Sequence, residues 1–174
     1  MVHVEITVPT TPEQVFAVLS DGWLFCAWVV GATHIRDVDD EWPAAGSELR
    51  YSVGVWPFTA EDTTQVVSVD PPHMLELEAK FSPLGSAWIR LELVETVPGE
   101  TEIRMYEHAK RGLGTLMPNV LQEVLLVPRN KESLSRLADI AVGKARRAAH
   151  TGTAVRAAAE THAEIKLDGN APRS

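Results

Sequence analysis

Six short runs with the composition of β-strands dominate the middle of the sequence. Their positions are 34–39, 48–55, 59–69, 74–81, 87–95 and 101–108. The segments between them are short and rich in proline and glycine, as in Asp70-Pro71-Pro72 and Pro98-Gly99. Parallel strands need crossover connections of a dozen or more residues, and these connections are too short. The pattern therefore predicts an antiparallel meander rather than βαβ units.

Apolar and polar residues alternate in most of these runs, which predicts the side chains that share the buried face of the sheet. On that face we expect Leu49, Tyr51, Val53, Val55, Leu75, Leu77, Ala79, Phe81, Ile89, Leu91, Leu93, Ile103, Met105 and Glu107. The phase of 59–69 stays open, because Val66, Val67 and Val69 fall on both faces.

Further elements flank the meander. Residues 2–8 alternate like a strand, and Thr11-Pro12-Glu13-Gln14 has the composition of a helix start with a capping box. A second helical segment, 23–30, is apolar nearly all round and is expected to pack inward. A long helix is expected from about Asn119, with Pro128 kinking or restarting it.

The length of 174 residues is typical of one domain. We assign residues 1–150 to this domain and 151–174 to an Ala-rich polar tail that is weakly structured or helical. The net charge is −8, and residues 1–143 carry 21 acidic against 10 basic side chains. Because such a surface repels phosphates, we do not expect nucleic-acid binding.

Several classes of site and location are disfavoured. The single cysteine and the absence of His pairs at i, i+4 spacing argue against a metal site, and no cofactor fingerprint is present. The chain has no apolar run of eighteen residues, so no membrane-spanning segment is expected. The first eight residues lack the basic region of a signal peptide, so we expect a cytoplasmic protein.

The order of elements resembles the helix-grip fold of the START-related, polyketide cyclase/dehydrase-like (SRPBCC) superfamily. The resemblance covers about residues 1–145, and its matching pieces are PTTPEQVFAVLSD, SVDPPHMLEL, PLG, TEIRMYEHA and RNKESLSRLADIA. It implies an α+β fold, in which a seven-stranded curved antiparallel sheet wraps around a long C-terminal helix and two short helices follow strand 1. It also implies a cavity between sheet and helix. Members bind sterols, lipids or aromatic polyketides, and a few catalyse cyclisation or dehydration.

Glu107 and Tyr51 are the polar residues expected on the cavity face. Glu107 is a candidate catalytic acid or base, or an anchor for a ligand hydroxyl, and the competing interpretation is a structural carboxylate paired with Arg129. Tyr51 either orients a ligand carbonyl or packs with its hydroxyl satisfied. Trp23, Trp28 and Trp56 are expected near the cavity mouth, where they either meet a flat ligand or fill the core.

The sequence thus favours a module that binds a small apolar ligand, either lipid-like or aromatic, without a cofactor. The predicted ligand contacts are Trp28, Tyr51, Val53, Ile89, Leu91, Met105, Glu107 and Val124. An alternative is a cyclase or dehydratase that uses Glu107 as acid/base. A protein-docking role for the helix and tail, and a homodimer, are left open.

Overall fold

The computed structural model describes residues 1–55, 58–81, 85–112 and 119–168. Its elements are β1 (Val2–Val8), α1 (Pro12–Leu19), a 3-10 turn (Gly22–Leu24), α2 (Phe25–Trp28), β2 (Ala32–Val38), β3 (Glu48–Val55), β4 (Phe58–Asp70), β5 (Met74–Phe81), β6 (Gly85–Val97), β7 (Glu100–Gly112) and α3 (Asn119–Asp168).

The seven strands form one antiparallel sheet in the order β1-β7-β6-β5-β4-β3-β2. The meander predicted from the short turns is confirmed from β2 to β7, and β1 completes the sheet beside β7. Since β1 and β2 lie at opposite edges, α1 and α2 form the connection that carries the chain across. The α+β helix-grip architecture predicted from the sequence is confirmed.

Helix α1 begins where the sequence predicted a helix start with a capping box. Pro12 is the first helical residue, and the backbone N–H of Thr11 donates to the Gln14 side chain at 3.2 Å. The second helical segment is shorter than predicted, because α2 spans only Phe25–Trp28 after the 3-10 turn. Trp23 is 63% exposed, so the expectation that this whole segment packs inward is wrong at that position.

The structure settles the phase of β4. Asp62, Thr64 and Val66 are buried, whereas Val67 is 43% exposed. The register between β4 and β5 shifts between Val66 and Ser68, as in a β-bulge. This irregularity explains why the valines of this strand gave no consistent alternation in the sequence.

Helix α3 continues through Pro128 instead of restarting after it. From Glu123 onward, the first buried side chain of the helix is Asn130, and others recur at helical spacing, at Ser133, Leu134, Leu137, Ala138 and Ala141. The chain divides into two compact units, Met1–Val142 and Gly143–Ser174. In the second unit the backbone is helical as far as Asp168.

No helix among the described residues is long and apolar enough to cross a membrane.

We expect the chain truncated after His150 to unfold at nearly the same temperature as the full chain. The buried core residues of the described chain lie between Val2 and Ala141, and the apolar residues beyond are mostly alanine, which buries little area. Truncation after Arg136 is the control, since it removes Leu137 and Ala141 and should abolish cooperative thermal unfolding. A large drop in Tm for the first truncation would show that the tail belongs to the domain.

Candidate functional site

A cavity of about 240 Å³ lies against the inward face of the sheet. Its walls come from α2 and the three residues after it, from β3, β5, β6 and β7, and from Arg129 and Ser133 of α3. Ligand pockets for drug-sized molecules usually measure about 300–1,000 Å³, so this one suits a smaller molecule.

Five of the eight predicted ligand contacts line this cavity, namely Trp28, Tyr51, Val53, Ile89 and Met105. Leu91 is fully buried but does not line it. Glu107 is also buried and contacts Arg129, but it is not part of the lining.

Val124 is not brought to the cavity, because it is 63% exposed. It precedes the buried residue Asn130 by six positions, and six residues rotate a helix by about 600°, so the two side chains leave the helix about 120° apart. Trp23 lines a separate open groove beside α1 and Trp42. Trp56 lies outside the described residues.

Three aromatic rings shape one wall of the cavity. Phe25 meets Trp28 edge-on at a centroid distance of 5.4 Å and the Tyr51 ring at 5.1 Å. Offset and edge-on arrangements at these distances are favourable between aromatic rings. All three rings border the cavity, and because the Phe25 plane is inclined by 69° and 53° to the other two, they give it an aromatic wall with both ring faces and ring edges.

Ser133 fixes the segment that follows α2. Its hydroxyl accepts the backbone N–H of Val30 at 3.1 Å and donates to the carbonyl of Arg129 at 3.0 Å. Gly31, with φ of +100°, then turns the chain into β2, a backbone conformation that favours glycine. The cavity wall is therefore tied directly to α3.

Glu107 is engaged in contacts with α3. Its side chain is 2% exposed and accepts a 2.7 Å hydrogen bond from Nδ2 of Asn130. Nη2 of Arg129 lies 3.4 Å from each carboxylate oxygen. The pairing with Arg129 considered in the sequence is therefore present, and Asn130 adds a shorter contact.

A second polar group faces inward from β3 and β4. The Tyr51 hydroxyl and the Thr64 hydroxyl are 3.2 Å apart, and burial raises the pKa of Tyr51. Asp62 lies directly opposite Tyr51 in the strand register and is 4% exposed. Its Oδ1 accepts the backbone N–H of Thr63 at 3.0 Å, whereas Oδ2 is buried without a hydrogen-bond partner.

Sequence reasoning missed Asp62, Thr64 and the cavity-lining role of Arg129. For the first two, the available signal was the register of β4: once Val66 is assigned inward, every second residue before it follows. Among the described residues, no three His, Cys, Asp or Glu side chains come together as they would around a metal ion.

We expect Asp62→Asn to stabilise the protein at neutral pH. Burial raises the pKa of Asp62 from 3.8 to about 6. The folded state therefore binds this proton more tightly than the unfolded state, and stability falls as pH rises from about 4 to about 6. At pH 7.5 the variant should gain up to about 3 kcal/mol over the parent, and much less at pH 4.5.

Urea denaturation at the two pH values measures this difference, and Asp40→Asn, the same substitution at an exposed position, is the matched control. A stability difference between Asp62→Asn and parent that does not change with pH would contradict the assignment.

Comparison with solved structures shows the same fold. A Staphylococcus aureus protein of unknown function, SA2116, matches with a TM-score of 0.64 and 14% identity, over 83% of this chain and 96% of that one. The protein Ara h 8.0201 matches with a TM-score of 0.61 and 12% identity, over 82% and 97%. The Zhui aromatase/cyclase from Streptomyces sp. R1128 matches with a TM-score of 0.59 and 13% identity, over 84% and 93%.

Comparison with curated proteins gave no match. The family model described as polyketide cyclase / dehydrase and lipid transport matches residues 1–142, which is most of the chain. The resemblance seen in the sequence is thereby confirmed, and the fold is one used for hydrophobic ligand binding or cyclisation. This chain belongs to the polyketide cyclase / dehydrase and lipid transport family.

Proposed function

We propose that this protein binds a small, predominantly apolar molecule in the cavity between the sheet and α3. The observation that carries the proposal is the cavity itself, lined mainly by apolar and aromatic side chains from the sheet and α2, with Arg129 and Ser133 contributed by α3. The family description includes lipid transport, which is compatible with binding. A volume of about 240 Å³ and a wall of three rings favour a compact aromatic molecule over a long-chain lipid.

Cyclisation or dehydration with Glu107 as acid/base is the alternative, supported by the family description and by the fold shared with an aromatase/cyclase. A general acid or base must come within hydrogen-bond reach of the ligand. Glu107 does not border the cavity, and its carboxylate receives donors from Asn130 and Arg129. Tyr51 borders the cavity, but its hydroxyl is paired with that of Thr64. The contacts therefore favour binding.

The test is mass spectrometry of small molecules that co-purify with the protein from its own host. We expect an apolar compound with the parent and its loss with Ala79→Leu, because residue 79 borders the cavity and the larger side chain fills it. Overpacking of this kind costs about 1–3 kcal/mol, so folding is checked by Tm.

Ala138→Leu provides the matched control, since Ala138 is buried in the core but does not line the cavity. Equal ligand occupancy in both variants and the parent would overturn the assignment of the cavity.

Glu107→Gln separates the structural role of Glu107 from a catalytic one. We expect a loss of about 3 kcal/mol in the free energy of unfolding, because Arg129 is left without its counter-charge. The co-purified compound should be retained. Glu102→Gln is the control: Glu102 pairs with Arg104 in a half-buried contact, more exposed than that of Glu107, which should contribute less than about 1 kcal/mol.

Urea denaturation of both variants measures these changes. Unchanged stability of Glu107→Gln would argue against a structural pair and return Glu107 to the candidates for chemistry.

A further inference from the structure

We propose that the molecule bound in the cavity carries an uncharged carbonyl oxygen, which accepts hydrogen bonds from guanidinium N–H groups of Arg129. This inference rests on the proposed function, because it names the polar group of the same ligand. In this proposal Arg129 has two roles: it contacts Glu107, and it favours ligands that carry a hydrogen-bond acceptor over ligands that carry none.

The contacts with Glu107 use only part of the N–H donors of the Arg129 guanidinium. An arginine side chain presents five N–H donors. Both contacts with Glu107 come from Nη2, and at 3.4 Å they are longer than good N–H···O bonds. Nε is buried and has no hydrogen-bond partner. Buried donors are nearly always paired, so the unpaired Nε shows that the contacts with Glu107 do not use the full hydrogen-bonding capacity of this side chain, which lines the cavity and is 27% exposed.

Arg129 is also the only charged side chain among the described residues that line the cavity. The two hydroxyl groups in that lining already have partners. The Ser133 hydroxyl accepts the N–H of Val30 and donates to the Arg129 carbonyl. The Tyr51 hydroxyl pairs with Thr64. Arg129 is therefore the strongest hydrogen-bond donor that this lining offers to a ligand acceptor.

The position of Glu107 favours an uncharged acceptor over a carboxylate. Asn130 holds the Glu107 carboxylate at 2.7 Å, beside the guanidinium. A ligand carboxylate would be attracted by Arg129 but repelled by Glu107, so little net attraction would offset the loss of its hydration. A carbonyl accepts the same hydrogen bonds without adding a charge.

The experiment compares three single-ring probes by isothermal titration calorimetry at pH 7.5. Acetophenone carries the carbonyl, ethylbenzene replaces it with a methylene group, and benzoate replaces it with a carboxylate. One ring suits a cavity of about 240 Å³. We expect acetophenone to bind about tenfold more tightly than ethylbenzene, as for a hydrogen bond to a charged donor. Benzoate should bind more weakly than acetophenone.

Arg129→Lys tests the residue. It keeps a positive charge opposite Glu107 but loses the planar set of donors. We expect the preference for acetophenone over ethylbenzene to fall below about threefold. Arg136→Lys is the matched control on the same helix, because Arg136 is exposed and pairs with Glu132 at 2.8 Å. That control should keep the parent preference.

A second measurement does not depend on the variant folding. In the parent protein, the infrared carbonyl stretch of ¹³C-labelled acetophenone should move to lower frequency than in an apolar solvent. An unshifted band would overturn the proposal.

The outcomes separate this inference from the proposed function. If acetophenone and ethylbenzene bind with equal affinity, the proposed carbonyl group on the ligand is wrong, whereas the proposal that the cavity binds apolar molecules is retained. Binding of none of the probes counts against both. If benzoate binds most tightly of the three probes, the proposal that the polar group of the ligand is uncharged is wrong. If a folded Arg129→Lys variant keeps the preference for acetophenone over ethylbenzene, Arg129 is not the donor to the ligand carbonyl.

Discussion

The contact of Glu107 with Arg129 and Asn130 joins the two layers that enclose the cavity. Glu107 lies on β7, and its partners lie on adjacent positions of α3. Apolar packing of Leu134, Leu137 and their neighbours provides most of the driving force, but it is non-directional. A buried ion pair contributes little net stability, yet breaking it is costly. We infer that the cluster fixes the position of α3 along the sheet, and with it the size of the cavity.

Side-chain size decides where along the sheet the cavity forms. One part of the inward face is filled by large residues such as Leu75, Leu91, Leu93 and Ile103, all fully or almost fully buried. The cavity opens where the lining includes small residues, among them Gly31, Ala32, Gly54 and Ala79. Since protein interiors are otherwise close-packed, this change from large to small side chains is enough to create a pocket.

The strand pattern predicted most of the fold but only part of the site. Alternation correctly placed Tyr51, Ile89 and Met105 on the inward face, because each belongs to a regular strand with a clear period of two. It failed for Asp62, since the bulge after Val66 breaks the period in β4. The position of Val124 required the rotational phase of α3, which apolar residues on both sides of Pro128 left ambiguous.

Arg129 shows a different limit of sequence reasoning. The sequence suggested it as a partner for Glu107, but its place in the cavity lining depends on which face of α3 meets the sheet. The two buried polar groups also differ in their relation to the cavity. Arg129 lines the cavity and lies beside a carboxylate that balances its charge, whereas Asp62 holds a buried acceptor opposite Tyr51 and does not line the cavity. Because Glu107 offsets the charge of Arg129, the cavity combines a mainly apolar lining with one charge-balanced hydrogen-bond donor group.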